Sequence, residues 1–289
     1  MIQKNNVRLG VTLMLLASLV FAFQDGISRH LATEYNVYMV VMIRYWFFAV
    51  FVIIMAQRGP DGIRAAVRTK QPFLQAFRGL VLSLQVCVMI AGFTLLGLVE
   101  SHAVFACYPL IVAALSGPIL GERVGWRRWT AITIGFVGVL IILQPGYGVF
   151  DLASLVPLAA ATMFALYAMM TRYAGRLDPS AVSFFWTGVV GACVSSLIGI
   201  WFWETMTVGD WGWMGLLCMT SVLGHWLLIR CYDAAEVSAV QPFAYAHLVF
   251  AAALGLLFFG EALRSNVALG VLVIVAAGLF TLWRERLQT

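Results

Sequence analysis

The sequence predicts an all-α integral membrane protein: ten transmembrane helices, arranged as two inverted five-helix repeats around a central cavity. Three observations carry that expectation. Of the 289 residues, 62% are hydrophobic and 11% charged, which is more apolar surface than a soluble domain of this length can bury. The apolar residues gather in ten runs of spanning length. The stretch from Glu100 to Val124, ESHAVFACYPLIVAALSGPILGERV, has an echo from Glu236 to Leu263, EVSAVQPFAYAHLVFAAALGLLFFGEAL. Each opens on a carboxylate, runs apolar through proline (Pro109 and Pro118, then Pro242) and closes on Gly-Glu: Gly121-Glu122 and Gly260-Glu261.

A helix needs about 20 mainly apolar residues to cross a hydrocarbon core about 30 Å thick. The first such run is Leu9–Ser28. Lys4 and Arg8 before it resemble the start of a signal peptide, but no convincing small-residue cleavage site follows, so it stays as a helix. Next come Val37–Gln57, which contains Arg44, and, after the basic loop Arg58–Gln75, Phe77–Leu98. Ser101–Leu120 holds Pro109 and Pro118, and Trp126–Leu143 begins among Arg123, Arg127 and Arg128. The second group is Leu152–Thr171, Ser180–Trp203, Trp211–Arg230, Val237–Phe259 with Pro242, and Asn266–Trp283. Other connections are short and no soluble domain is expected.

Positive charge is retained on the cytoplasmic side of a membrane. With the N-terminus inside, fifteen Lys and Arg fall on the inner face (Lys4, Arg8, Arg58, Arg64, Arg68, Lys70, Arg78, Arg123, Arg127, Arg128, Arg172, Arg176, Arg230, Arg284 and Arg286). Arg29 and Arg264 fall outside, and Arg44 lies within a span. This asymmetry predicts a multi-pass protein of the inner, or plasma, membrane with both termini cytoplasmic. It also accounts for the net charge of +5 without nucleic acid, since the basic residues form no stripe interleaved with exposed aromatics.

The duplication extends along the chain. Ala17–Arg29 aligns with Ala160–Arg172, Tyr45-Trp46 with Phe185-Trp186, Gly79 with Gly215, and Glu100 with Glu236, in the same order. Five is odd, so the second half must cross in the opposite sense to the first. The halves are expected at residues 1–146 and 147–289, joined at the turn-prone Pro145-Gly146-Tyr147-Gly148. Two inverted halves can exchange shapes across a membrane, which is the physical basis of alternating access.

With these features the chain resembles the drug/metabolite transporter superfamily, specifically its EamA-type exporters, and within them the bacterial YddG-type amino-acid exporters. Gly121-Glu122, Gly260-Glu261 and AVFACYPL (Ala103 to Leu110) carry the resemblance over essentially the full length. The second half departs from it: opposite Tyr108-Pro109 stand His247-Leu248, with the proline displaced to Pro242. The resemblance implies export of small metabolites, commonly amino acids, from the cytoplasm.

Polar side chains inside a bilayer are costly and each needs an account. Arg44 lies about 10 Å from the outer end of its span. Two roles fit it: an anchor for a substrate carboxylate, which guanidinium binds bidentately, or a charge that pairs with Asp25 or snorkels to the interface. Gln24, its repeat counterpart Tyr167, and Gln85 with Ser83 suit either cavity lining or hydrogen bonds between helices. His225 and His247, near mid-span, suit proton exchange or neutral burial. His102 is expected near a membrane face in contact with water. Asp25, Glu100 and Glu236 are either proton carriers or solvated helix ends.

Tyr108, Tyr167, Trp186 and Tyr245 fall within spans, where aromatic walls would suit large neutral amino acids or flat organic cations, and where ordinary packing also explains them. Trp126, Trp201, Trp203, Trp211 and Trp283 sit at span ends as interfacial anchors. Pro109, Pro118 and Pro242 are candidate hinges. Gly121, Glu122, Gly260 and Glu261 read as scaffold, the glutamates pairing with nearby cations, Arg264 among them, or with the start of the next helix. The five cysteines lie in apolar segments without ligand spacing and read as small buried hydrophobes.

No metal-ligand spacing, GxSxG or nucleotide-binding motif occurs, so no cofactor is expected and an enzyme is disfavoured. The expected function is a secondary transporter exporting aromatic and other neutral amino acids and related metabolites. A multidrug or organic-cation exporter of the same fold, and a membrane-embedded enzyme, are the alternatives. Expected partners are a small-molecule substrate, membrane lipid and protons; a monomer is expected.

Overall fold

The computed structural model describes residues 6–59, 62–121, 126–143 and 152–286. These are helical, with no strand among the described residues. In order they form α1 (Val7–Glu34), α2 (Val37–Arg58), the short α3 (Gly62–Val67), α4 (Pro72–Phe105), α5 (Tyr108–Leu120), α6 (Trp126–Leu143), α7 (Leu155–Ala174), α8 (Ser180–Gly199), α9 (Val208–Ala234), the single turn α10 (Val237–Val240), α11 (Tyr245–Phe258) and α12 (Ser265–Arg286).

Six helical stretches among the described residues are long and apolar enough to cross a membrane: Val7–Glu34, Val37–Arg58, Pro72–Ile119, Leu152–Ala174, Ser180–Phe202 and Val208–Ala234. Their outward surface is apolar as well. Leu197 on α8, and Leu257 and Phe258 on the shorter apolar helix α11, are 74, 78 and 74% exposed, a disposition that suits lipid rather than water.

Helix starts follow local chemistry. The side chains of Asn6 and Asn36 accept from the amides of Leu9 and Tyr38 and so cap α1 and α2. Thr207 accepts from the Asp210 amide at 3.2 Å to start α9. The chain keeps α4 helical through Phe105, apart from a break at Gly97 (φ 82, ψ 174). The interruption expected around Leu98 to Ser101 is therefore one residue of non-helical backbone, and a second break follows at Cys107, ahead of Pro109 in the first turn of α5. Pro118 lies inside α5, and Pro242 in the 3-10 turn Gln241–Ala244 between α10 and α11. Gly121 and Gly260 end their helices at φ 73 and 62. Glu122 and the joint at Pro145-Gly148 lie outside the described residues.

The helices pair across the molecule. α1 packs chiefly on α9, α4 on α7, α2 on α8 and α6 on α12; α1 also meets α11, and α5 meets α7.

Three expectations need correction. Arg78, expected at the inner water face, is wholly buried between α4, α7 and α8. It donates to Gln75 Oε1 (2.9 Å), Thr171 Oγ1 (3.1 Å), Thr187 Oγ1 (2.9 Å), the Ser183 carbonyl and Tyr167, so neutral oxygens replace the water that its guanidinium loses. His102, expected to meet water, is 1% exposed. Arg264 pairs with Glu100 at 3.0 Å rather than with Glu261, whose partner is Arg29.

Two carboxylate clusters tie loops together at opposite ends of the bundle. Asp178, between α7 and α8, accepts from Thr69, from the Lys70 amide (3.0 Å) and from Gln75 (3.0 Å). Asp210, at the start of α9, accepts from Tyr35 (2.7 Å) and Thr207 (2.6 Å), with His30 at 3.3 Å.

Candidate functional site

A cavity of about 60 Å³ lies at the centre of the bundle, where α1, α2, α4, α5, α7, α9 and α11 converge. On α1 the lining residues are Met14, Ala17, Ser18, Phe21, Gln24 and Asp25, a stripe at helical spacing. It begins apolar and ends polar. α4 contributes Gln85 through Phe93, and Phe105, Tyr108 and Phe164 close one side as a ring cluster with centroids 4.9 to 5.6 Å apart.

Arg44 reaches the cavity from α2. It is 1% exposed, and its Nε and Nη2 have no hydrogen-bond partner among the described residues. The one aromatic neighbour of its guanidinium is the Tyr45 ring, 5.3 Å away. The expected pairing with Asp25 is not made. Asp25 Oδ2 instead meets His102 Nε2 at 3.0 Å and His247 Nε2 at 2.9 Å. The cavity therefore holds a guanidinium with two unpartnered nitrogens on one wall and an acid-imidazole cluster on another. A buried guanidinium with unpartnered N–H groups keeps part of the desolvation cost of its charge uncompensated. Such a group is a ready partner for an anionic oxygen.

Of the side chains singled out in the sequence, Gln24, Arg44, Gln85, Tyr108, His225 and His247 face this cavity. Gln24 Oε1 and both ring nitrogens of His225 have no hydrogen-bond partner among the described residues. Tyr167, Trp186 and Tyr245 do not line it. Tyr167 is fully buried and accepts from Arg78 at 3.4 Å; the Trp186 Nε1 donates to the Val67 carbonyl at 3.2 Å; Tyr245 is buried at 4% exposure.

Sequence reasoning did not place Asp25 and His102 at the centre, nor Phe21, Phe93, Phe105 and Phe164 on the walls. The donor atoms of Asp25, His102 and His247 lie within 4.8 Å of one another. They belong to segments 77 and 222 residues apart, so no linear spacing reveals the cluster. The stripe on α1 was the available signal, since Phe21 and Asp25 share the face of Gln24 and Ser18.

The Glu261 carboxylate accepts from the amides of Leu98 (2.8 Å) and Val99 (2.7 Å), the first residues after the break at Gly97, and pairs with Arg29. A carboxylate at the N-terminus of a helical segment meets both unsatisfied amides and the positive end of the helix dipole. The second Gly-Glu thus caps the part of α4 that follows Gly97 rather than the helix that comes after it in the chain.

A family model described as the EamA-like transporter family matches residues 8–144 and 152–283. Among curated proteins, the chain is 28% identical to a riboflavin transporter of Vibrio cholerae serotype O1, covering 96% of this chain and 94% of that protein. It is 23% identical to an S-adenosylmethionine uptake transporter of Rickettsia prowazekii (96% and 93%) and 24% identical to a pseudopaline exporter of Pseudomonas aeruginosa (92% and 94%). A protein of known crystal structure superposes over 99% of this chain and 100% of its own, with a TM-score of 0.69 and 17% identity; that likeness is one of fold.

Proposed function

The chain belongs to the EamA-like transporter family, and from that membership we propose that it is a secondary transporter exporting aromatic and other neutral amino acids and related small metabolites by alternating access. One observation carries the substrate class. Arg44 is a fully buried guanidinium with two unpartnered nitrogens at the wall of a cavity faced with aromatic rings. A substrate α-carboxylate would satisfy that fork, and a ring or large neutral side chain would lie against Phe105, Tyr108 and Phe164. Gln24 supplies an acceptor for an α-ammonium.

The relatives fit this chemistry. S-adenosylmethionine carries an α-amino-acid head and an aromatic base, and riboflavin a flat ring system. Two of the relatives named above are called uptake or vitamin transporters and one an exporter; in a secondary carrier the gradients set direction, and the exporter resemblance supports outward movement here.

We read the chain as ten crossings, counting α4 as two segments that meet at Gly97. Helix pairing supports the inverted repeat. Exchanging the halves turns the α1 with α9 contact into α7 with α4, and α1 with α11 into α7 with α5, while α2 with α8 and α6 with α12 map onto themselves. An inner-membrane location with both termini cytoplasmic fits the charge asymmetry, and we take the transporting unit to be a monomer. The cavity of about 60 Å³ is small beside the roughly 300 Å³ or more of ligand clefts, so admission of substrate requires the halves to part, with Pro109, Pro118 and Pro242 as bending points.

The test is transport by the purified protein in liposomes. Saturable L-phenylalanine counterflow, competed by other neutral amino acids, is expected. Movement of tetraphenylphosphonium with no amino-acid flux would replace this reading by organic-cation export.

A further inference from the structure

The contacts of Asp25, His102 and His247 fix a proton count. His102 Nδ1 lies 3.0 Å from the Leu98 carbonyl, which only accepts, so Nδ1 carries a hydrogen. His102 Nε2 and His247 Nε2 lie 3.0 and 2.9 Å from one oxygen, Asp25 Oδ2. For all three contacts to be hydrogen bonds, the three side chains must hold at least three protons. Either an ionised Asp25 accepts from an imidazolium His102 and a neutral His247, or a protonated Asp25 donates to neutral His102 while accepting from His247. Both arrangements carry a net charge of zero. An ionised Asp25 with two neutral imidazoles holds only two protons, and then the His102 Nε2 lone pair faces the carboxylate.

The surroundings single out this proton. Asp25 and His247 line the cavity, and His102 is buried behind them, stacked on Phe93 with centroids 5.1 Å apart. The other charged and titratable groups facing this region are Arg44 from α2, His225 from α9 and Tyr108 from α5. Further along, Arg29 is engaged by Glu261 and Glu100 by Arg264. Arg44, whose Nε and Nη2 have no partner among the described residues, is the other charge on the cavity wall.

We propose that Asp25, His102 and His247 form a proton-binding site that couples substrate movement to counter-movement of one proton. The proposal rests on the transporter reading above. On release, the N–H bond at His102 Nε2, or the O–H bond at Asp25 Oδ2, breaks; the proton passes to water on the open side, the electron pair stays behind, and the cluster goes from charge zero to minus one. The contact between α1 and the segment after Gly97 then loses its hydrogen bond, so proton loss loosens the joint that Glu261 caps. In this way one proton biases the packing of α1 against α4.

Two measurements on the purified full chain separate this inference from the transport reading. With the membrane potential clamped, a lumen about one pH unit more acidic than the medium should drive L-phenylalanine accumulation, up to about tenfold for one-for-one exchange. In Asp25→Asn this accumulation should be lost. Saturable wild-type phenylalanine flux that ignores the pH gradient and leaves lumenal pH unchanged overturns the coupling while the transport reading stands. Should no amino acid move, the transport reading fails, and the site is judged directly. At about pH 6, the wild type should show either an imidazolium assigned to His102 or His247 by ¹⁵N-histidine NMR or a protonated carboxyl by infrared difference, absent in Asp25→Asn. Detection of neither overturns the proton site, as does tight one-to-one Zn²⁺ binding that His247→Gln abolishes.

Discussion

Gly97 lies against Glu261 so closely that a β-carbon on it would stand 2.7 Å from Oε1. The backbone at Gly97 (φ 82, ψ 174) turns the two amides that follow toward that carboxylate. Glycine is required twice over, by its dihedral angles and by its neighbour. Gly97→Ala is expected to lower the melting temperature in detergent, the backbone term alone being about 1 to 3 kcal/mol.

Removing the carboxylate should cost more than removing its ion-pair partner. Glu261→Ala leaves two backbone amides and Arg29 without their acceptor, at about 1 to 3 kcal/mol for each buried donor, whereas Arg29→Leu leaves the amides capped. Thermal melts of both single variants and the double variant check this. The double variant, which strands only the two amides, should lie between Arg29→Leu and Glu261→Ala.

Arg44 should matter through its fork rather than its charge alone. Arg44→Ala is expected to raise the apparent KM for phenylalanine at least about tenfold, and Arg44→Lys to recover little, because an ammonium is a point donor. Cys87→Ala, at a half-buried position away from the cavity lining, is the comparison. Equal behaviour of Arg44→Ala and Cys87→Ala at equal expression would remove Arg44 from the site.

Asp178 gives the fold a pH dependence. Burial pushes its carboxyl up, but hydrogen bonds from Thr69, the Lys70 amide and Gln75 outweigh it and hold the group below the usual carboxylate range. A depressed folded-state value stabilises the fold above the unfolded value, about 3.9, and that stability is lost as pH falls through the folded value. Asp178→Asn should therefore be less stable than wild type near neutral pH, with the gap closing below about pH 4. A constant gap across that range would show that the hydrogen bonds do not depend on ionisation.

The helical plan was legible because its causes are local. Asn6, Asn36 and Thr207 start helices within three residues of themselves, and apolar runs of spanning length need no partner to be recognised. The polar interior was legible only in part. Gln24, Arg44 and Gln85 stood out as costly residues in apolar runs, and they do face the cavity. Arg78 misled, because the oxygens that bury it come from Thr171, Ser183 and Thr187, 93 to 109 residues away. His102 misled for the same reason, its acid being 77 residues upstream. Distances of that kind are set by the packing of α4 on α7 and of α1 on α4 and α11, and no local pattern encodes them.

The cap that Glu261 places on Leu98 has a consequence for how the protein is made. Its donor and acceptor are 163 residues apart. While the ribosome is still extending the chain, the amides after Gly97 wait without their acceptor until the segment that carries Glu261 has been made. A chain released before residue 261 would leave the amides of Leu98 and Val99 without that acceptor.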